Sequence, residues 1–80
     1  MRFRIQVTRR EGIADPEGTT TADALRQLGY TEVETVRFGQ DIIVDVAVED
    51  ADMGMERVTE MCERLLANPV IEDFTVEPLG

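Results

Sequence analysis

Apart from carboxylates, few side chains in this sequence are suited to acid–base, nucleophilic or metal chemistry. The chain has no histidine, which is the usual general base near neutral pH and a common metal ligand. Its one cysteine, Cys62, lies on the apolar side of a predicted helix, and we interpret it as a buried structural thiol. The sequence therefore predicts no catalytic residue, and a single cysteine excludes a disulfide within the chain.

Two groups of carboxylates could in principle attract a hard cation. One is Asp15 with Glu17, and the other is Glu49 with Asp50 and Asp52. Neither group has the spacing, the glycine and the terminal glutamate of a calcium-binding loop. Negative side chains are favoured near helix N-termini, so we interpret both groups as parts of helix starts. No metal site and no cofactor-binding residue is predicted.

The segment Asp15-Pro16-Glu17-Gly18 is the most loop-like motif. Free N–H groups at a helix start can bind an anion, although a helix cap alone would also explain these residues. The segment weakly resembles a turn of amino-acid-sensing regulatory domains. A regulatory module that binds an amino acid or a nucleotide at this turn is therefore one alternative function.

The net charge of −9 argues against a nucleic-acid partner, because neutralisation of phosphates supplies most of that affinity. All eight basic residues are arginine, and lysine is absent. An acidic surface without lysine is typical of halophilic proteins, although a GC-rich genome would also favour arginine. No apolar segment is long enough for a signal peptide core or a membrane helix, so we expect a cytoplasmic protein with no membrane partner.

Hydrophobic periodicity predicts six elements in the order βαββαβ. Phe3, Ile5 and Val7 alternate with polar residues in the first strand, and Asp15-Pro16 begins a helix that ends at Gly29. The remaining predicted elements are strands over 33–38 and 42–49, joined in a hairpin at 39–41, a helix over 51–67, and a strand over 70–77.

The two predicted helices each carry an apolar stripe that should face the sheet. The stripe of the first helix consists of Thr21, Ala22, Leu25 and Leu28, and that of the second consists of Met55, Val58, Met61, Cys62, Leu65 and Leu66. Asn68-Pro69 should stop the second helix, because proline cannot continue it. We accordingly predict that Leu65 is a core residue.

These elements predict a single α+β domain over residues 1–80. The expected architecture is a two-layer sandwich of ferredoxin-like type, with an antiparallel four-stranded sheet and two helices on one face. The other sheet face would mix charged, small and apolar side chains. We predict that this open face packs against another subunit, with Arg4 or Arg37 opposite Asp45 or Asp73.

One segment carries a more specific pattern, which runs from Met61 through Asn68-Pro69 to Phe74. It closely resembles the helix-to-strand signature of PurS, the small subunit of phosphoribosylformylglycinamidine synthase. Three further segments resemble the same family: residues 15–18, the helix end from Ala24 to Tyr30, and Val33 to Gly39. Together these segments follow the family in order over nearly the whole chain.

The resemblance implies a non-catalytic subunit of an ATP- and glutamine-dependent ligase, EC 6.3.5.3, in de novo purine biosynthesis. In that family the ATP and magnesium are used by a large synthetase subunit, PurL, and glutamine is hydrolysed by a glutaminase subunit, PurQ. The small subunit forms dimers or tetramers and is thought to bridge those two, assisting ammonia transfer. No catalytic residue carries over to this chain.

Seven residues are our candidates for subunit contacts. They lie at the two predicted chain corners and on the predicted open face: Asp15, Pro16, Arg37, Asp45, Asn68, Pro69 and Asp73.

Overall fold

The computed structural model describes residues 1–80 and contains three strands, two α-helices and one π-helical turn. In chain order these are β1 (Arg2–Arg9), α1 (Pro16–Gln27), β2 (Gly39–Asp45), α2 (Ala51–Met61), the π-helical turn (Cys62–Leu66) and β3 (Glu72–Pro78). The α+β class predicted from the sequence is confirmed. Neither α-helix has the length and apolar composition of a membrane-spanning segment.

The three strands form one antiparallel sheet in the order β2-β1-β3, so the first strand is central. Ile5 of β1 lies between Ile42 of β2 and Val76 of β3. Because side chains alternate along a strand, the odd-numbered residues of β1 and the even-numbered residues of β2 and β3 share one face. That face is apolar, and the opposite face is mostly polar and open.

The core lies between the apolar sheet face and α2. Phe3, Ile5 and Val7 are buried, and Val58 and Cys62 of α2 pack against them. Gly54 permits this close approach, since a Cβ there would lie 2.4 Å from Cζ of Phe3. The alternation predicted for β1 and the apolar face predicted for α2 are thus confirmed.

The predicted strand over 33–38 is wrong for the single chain, and so are the hairpin at 39–41 and the four-stranded sheet. The β1–β2 ladder ends at the pair Thr8–Gly39, and β2 begins at Gly39 instead of Ile42. The next amide, that of Phe38, donates to the Asp15 carboxylate, 3.0 Å away. Residues 33–38 therefore have the composition of a strand and no strand partner in their own chain.

Only one of the two helices covers the sheet, contrary to the prediction. Helix α1 is carried outward together with residues 28–38, and we call residues 15–38 the arm. Gly18 and Ala22 are buried, whereas Leu28 at the end of the predicted stripe is 75% exposed. The chain measures 49 × 25 × 14 Å, with a radius of gyration of 16.0 Å. A compact chain of this length would have a radius of gyration of about 12 Å.

Helix α2 does not continue as an α-helix to residue 67. The amide of Ala67 donates to the carbonyl of Cys62, five residues earlier, which is the bond of a π-helical turn. The wider turn shifts the helical periodicity, so Leu66 is half-buried and Leu65 is 84% exposed. The prediction that Leu65 belongs to the core is therefore wrong.

Candidate functional site

Six of the seven candidate contact residues gather at one end of the sheet, which we call the corner. Here β1 ends and β3 starts, and both ends of the arm, residues 15 and 38, meet the sheet. The six are Asp15, Pro16, Arg37, Asn68, Pro69 and Asp73. Asp45, the seventh, lies at the opposite end of the sheet, where it pairs with Arg2.

Asp15 joins the two ends of the arm. Its Oδ1 accepts the amide of Gly18 at 3.0 Å, as the predicted N-cap of α1, and its Oδ2 accepts the amide of Phe38 at 3.0 Å. These two hydrogen bonds, and then the positive charges of Arg9 and Arg37, hold the pKa of Asp15 below its ordinary value. The carboxylate thus closes the arm onto the start of β2.

Three arginines form hydrogen bonds or ion pairs at the same corner. Arg37 donates to the carbonyl of Arg9 at 3.3 Å and lies 3.6 Å from Glu11, and Arg9 donates to the carbonyl of Ala14 at 3.0 Å. Arg10 forms an ion pair with Asp73 at 3.2 Å. Of these arginines only Arg37 was among the candidates. The pair Arg9-Arg10 at the end of a predicted strand is the signal that could have identified the others.

Asn68 and Pro69 form the other half of the corner. The side chain of Asn68 accepts the amide of Val70 at 3.1 Å, and its carbonyl accepts the amide of Glu72 at 2.7 Å. The backbone amide of Arg10 donates to the carbonyl of Ile71 at 2.8 Å, which connects this turn to the end of β1. Asn68-Pro69 therefore delays the last strand, which runs over 72–78 instead of the predicted 70–77.

The charges of the open sheet face are paired within the chain. Arg2 donates to Asp45 at 2.9 Å, and Arg4 lies 3.3 Å from Asp41. The hydrogen bond and charge of Arg2 lower the pKa of Asp45. These are exposed pairs, which typically contribute little to stability. That Asp45 or Asp73 faces an arginine of another subunit stays a prediction.

The remaining carboxylates and the cysteine have local structural roles. Asp50 caps α2, since its side chain accepts the amide of Asp52 at 3.1 Å. Cys62 is completely buried, and burial raises the pKa of its thiol, with the charge of Glu63 adding to the effect. At the Asp15–Gly18 turn the Gly18 amide is already bonded to Asp15, so that amide is not free to bind an anion.

A second surface lies beside β2, on the apolar side of the sheet. It is a groove of about 430 Å³ between β2 and the end of α2, which we call the β2 groove. Its lining combines apolar and charged side chains, namely Val44, Arg57, Glu60, Met61, Arg64, Leu65 and Leu66. Because α1 is held away on the arm, no helix of the same chain covers this part of the sheet.

Comparison with known proteins identifies the same family over the whole chain. The model of the PurS family, described as phosphoribosylformylglycinamidine (FGAM) synthase, matches residues 2–79. The PurS subunit of FGAM synthase from Bacillus subtilis is 38% identical over 76 residues, which are 95% of this chain and 89% of that protein.

Solved structures of PurS share the fold. A crystal structure of the Thermotoga maritima PurS subunit superposes with a TM-score of 0.86 at 36% identity, covering 98% of this chain and 90% of that one. A chain in the structure of PurLQS from the same organism gives a TM-score of 0.87 at 36% identity, covering 98% and 95%.

Proposed function

The chain belongs to the PurS family of FGAM synthase, and from that membership we propose that it bridges the other subunits of that enzyme. It is a PurS subunit in purine biosynthesis, part of an enzyme of class EC 6.3.5.3. The observation that carries the bridging role is the match, at nearly full length, to a chain of PurLQS. In this role the small subunit connects a synthetase, PurL, with a glutaminase, PurQ.

The chemical need for such a subunit follows from the properties of ammonia. Ammonia released into water at neutral pH is diluted and mostly protonated to ammonium, which is not a nucleophile. A subunit that seals the junction between glutaminase and synthetase keeps ammonia at a high effective concentration. In this proposal ATP and magnesium are used by the synthetase, and this chain supplies contact surfaces, in the cytoplasm.

The corner fits this role because its side chains fix the backbone geometry at the junction between the arm and the sheet. Asp15, Arg37 and Asn68 hold the arm and the start of β3 in place, while Pro16 and Pro69 beside them are exposed. We place the contacts with PurL and PurQ at this corner. Self-association as a dimer or tetramer uses the second surface described above, the β2 groove on the apolar side of the sheet.

Reconstitution tests the bridging role. The synthetase and glutaminase subunits should turn over formylglycinamide ribonucleotide with glutamine only when this chain is added. Ammonium chloride in place of glutamine is the matched control, because added ammonia bypasses transfer between subunits. Equal glutamine-dependent rates with and without the chain would contradict the proposal.

A variant locates the contact surface. Asn68→Ala and Pro69→Ala together should weaken co-purification with the partner subunits, and Asp45→Asn at the other end of the sheet is the control. Circular dichroism confirms that each variant remains folded. If only Asp45→Asn reduces co-purification, the contact surface lies at the opposite end.

A further inference from the structure

The arm is held together internally as one unit. Near the outer end of α1, Arg26 donates from Nη1 to the carbonyl of Val33 at 2.8 Å, which joins the helix to the segment that returns to the sheet. Near the start of α1, Gly18 packs against Val36, where an added Cβ would lie 2.1 Å from the carbonyl oxygen. Because both ends of the helix are attached to the returning segment, the two parts of the arm change position together.

The arm has little packing against the rest of the molecule. Helix α1 makes no extensive contact with any strand or with α2. Two covalent connections join the arm to the sheet, namely the loop 10–14 at its start and the peptide between Phe38 and Gly39 at its end. The loop contains Gly12 at a φ of +83°, and a Cβ there would contact nothing. The direction of the arm is therefore determined by the contacts at its base.

Two arginines cross this base in opposite directions. Arg9, at the end of β1, donates to the carbonyl of Ala14 at 3.0 Å, directly before the arm begins. Arg37, near the end of the arm, donates from Nη1 to the carbonyl of Arg9 at 3.3 Å, and its Nη2 lies 3.6 Å from Glu11. We call these contacts the arginine clamp. The clamp connects β1 to both ends of the arm.

We propose that the arginine clamp sets the direction in which the arm leaves the sheet, with Arg9 and Arg37 as positioning residues. The planar guanidinium of Arg37 contacts two acceptors at once, whereas a lysine ammonium would act as a point charge. Glu11 is 91% exposed, so its ion pair contributes little, and the backbone carbonyls are the main acceptors. The negative charge of Asp15 acts on both arginines and offsets their mutual repulsion.

The direction of the arm decides where its outer end lies. Helix α1 has 12 residues and is about 18 Å long. A rotation of about 20° at its base would move its outer end by about 6 Å, and Leu28 and Tyr30 are exposed there. With the direction fixed beforehand, association with another subunit does not have to order the arm. In this consequence for assembly the inference rests on the proposed function.

Single-molecule energy transfer measures the direction of the arm in the full chain. One dye is attached at Gln27→Cys, near the outer end of α1, and the other at Thr75→Cys, on the open face of β3. Both positions are exposed, and Cys62 is buried and remains in place. The unsubstituted chain should give one narrow distribution of transfer efficiency. Arg9→Gln and Arg37→Gln should each broaden that distribution and shift its mean, and an unchanged distribution in both variants would overturn the proposal.

Two further variants separate geometry from charge. Arg37→Lys keeps the positive charge but has a single nitrogen, so it should also broaden the distribution. Full recovery of the narrow distribution with lysine would reduce the clamp to one ion pair and overturn the proposal. Arg2→Gln is the matched control, because it removes an exposed arginine that pairs with Asp45 at the opposite end of the sheet. It should leave the distribution unchanged.

Sedimentation distinguishes a positioning role from direct contact. Loss of preorganisation should raise the dissociation constant for self-association of Arg37→Gln by about tenfold, while its far-UV circular dichroism stays that of the unsubstituted chain. Weaker self-association with an unchanged transfer distribution would make Arg37 a contact residue and refute its positioning role. These measurements use the isolated chain. If they refute the clamp while the chain still supports glutamine-dependent activity, the bridging role stands, and the reverse result refutes the bridging role alone.

Discussion

Ile5 and Leu65 are both aliphatic, but the sheet buries Ile5 completely and the π-helical turn leaves Leu65 84% exposed. Ile5→Ala should therefore lower the free energy of unfolding by about 2–5 kcal/mol, through lost burial and a cavity. Leu65→Ala should change the stability of the isolated chain by only about 0.5 kcal/mol. Urea denaturation at one fixed, low protein concentration measures both, and a large loss for Leu65→Ala would contradict its exposed position.

Asp15 makes the stability of the folded chain depend on pH in the acidic range. Its pKa in the folded chain lies below the ordinary value because the charged form accepts two amides. The stabilisation is therefore fully present above the ordinary pKa of an aspartate, about 3.9, and is lost as pH falls toward the lower folded-state pKa. Asp15→Asn should flatten the fall in melting temperature between about pH 5 and pH 2.

Asp15→Ala is the comparison for that variant. Asparagine still offers an oxygen to the Gly18 amide, whereas alanine removes the cap of α1 altogether. Both variants should lose the part of the acid dependence that comes from Asp15, and the alanine variant should also have a lower melting temperature at pH 7. If Asp15→Asn keeps the full acid slope of the unsubstituted chain, another carboxylate is responsible.

At the scale of elements, the contact between α2 and the sheet depends on the absence of a side chain at Gly54. Alanine would favour the helix by about 1 kcal/mol, but its Cβ would lie 2.4 Å from the buried ring of Phe3. Overpacking typically costs about 1–3 kcal/mol, so Gly54→Ala should be destabilising overall. Glu56→Ala, exposed on the same helix, is the control and should leave the urea midpoint nearly unchanged.

Local signals in the sequence predicted the elements whose causes are local. Asp15-Pro16 marked the start of α1, and the alternation of Phe3, Ile5 and Val7 marked the central strand. The capping role of Asp15 and the turn at Asn68 could be predicted in the same way, because each is carried by the side chain itself. Their role in subunit contacts stays a prediction.

The errors concern relations between elements, which periodicity does not specify. The pattern over 33–38 shows that a strand is favoured but not which edge it pairs with, and its own chain offers none. The apolar stripe that ends at Leu28 predicts which side of α1 is apolar. It does not predict whether the arm places that side against the sheet. The π-helical turn changes the helical period and thereby places Leu65 on the exposed side. No single residue in the sequence predicts this change.

At the scale of the whole molecule, a net charge of −9 on 80 residues is the dominant electrostatic feature. Self-repulsion of this excess charge opposes the compact state and is screened by salt. We expect the melting temperature to rise with sodium chloride, as for a halophilic protein. Scanning calorimetry from low to molar salt measures it.

A neutralised variant separates charge screening from other effects of salt. Glu32, Glu56 and Glu63 form no ion pair within the chain, so replacing all three with glutamine removes charge without breaking a salt bridge. The melting temperature of this variant should rise less steeply with salt. An identical slope would assign the salt effect to apolar burial instead of charge.

The outward position of the arm also affects how the subunits are counted. A body of 49 × 25 × 14 Å has more hydrodynamic drag than a sphere of equal mass, so its Stokes radius is that of a heavier globular protein. Gel filtration against compact standards would therefore overstate the mass of a single chain. Light scattering, which reports mass independently of shape, gives the stoichiometry of this subunit alone and within the synthase.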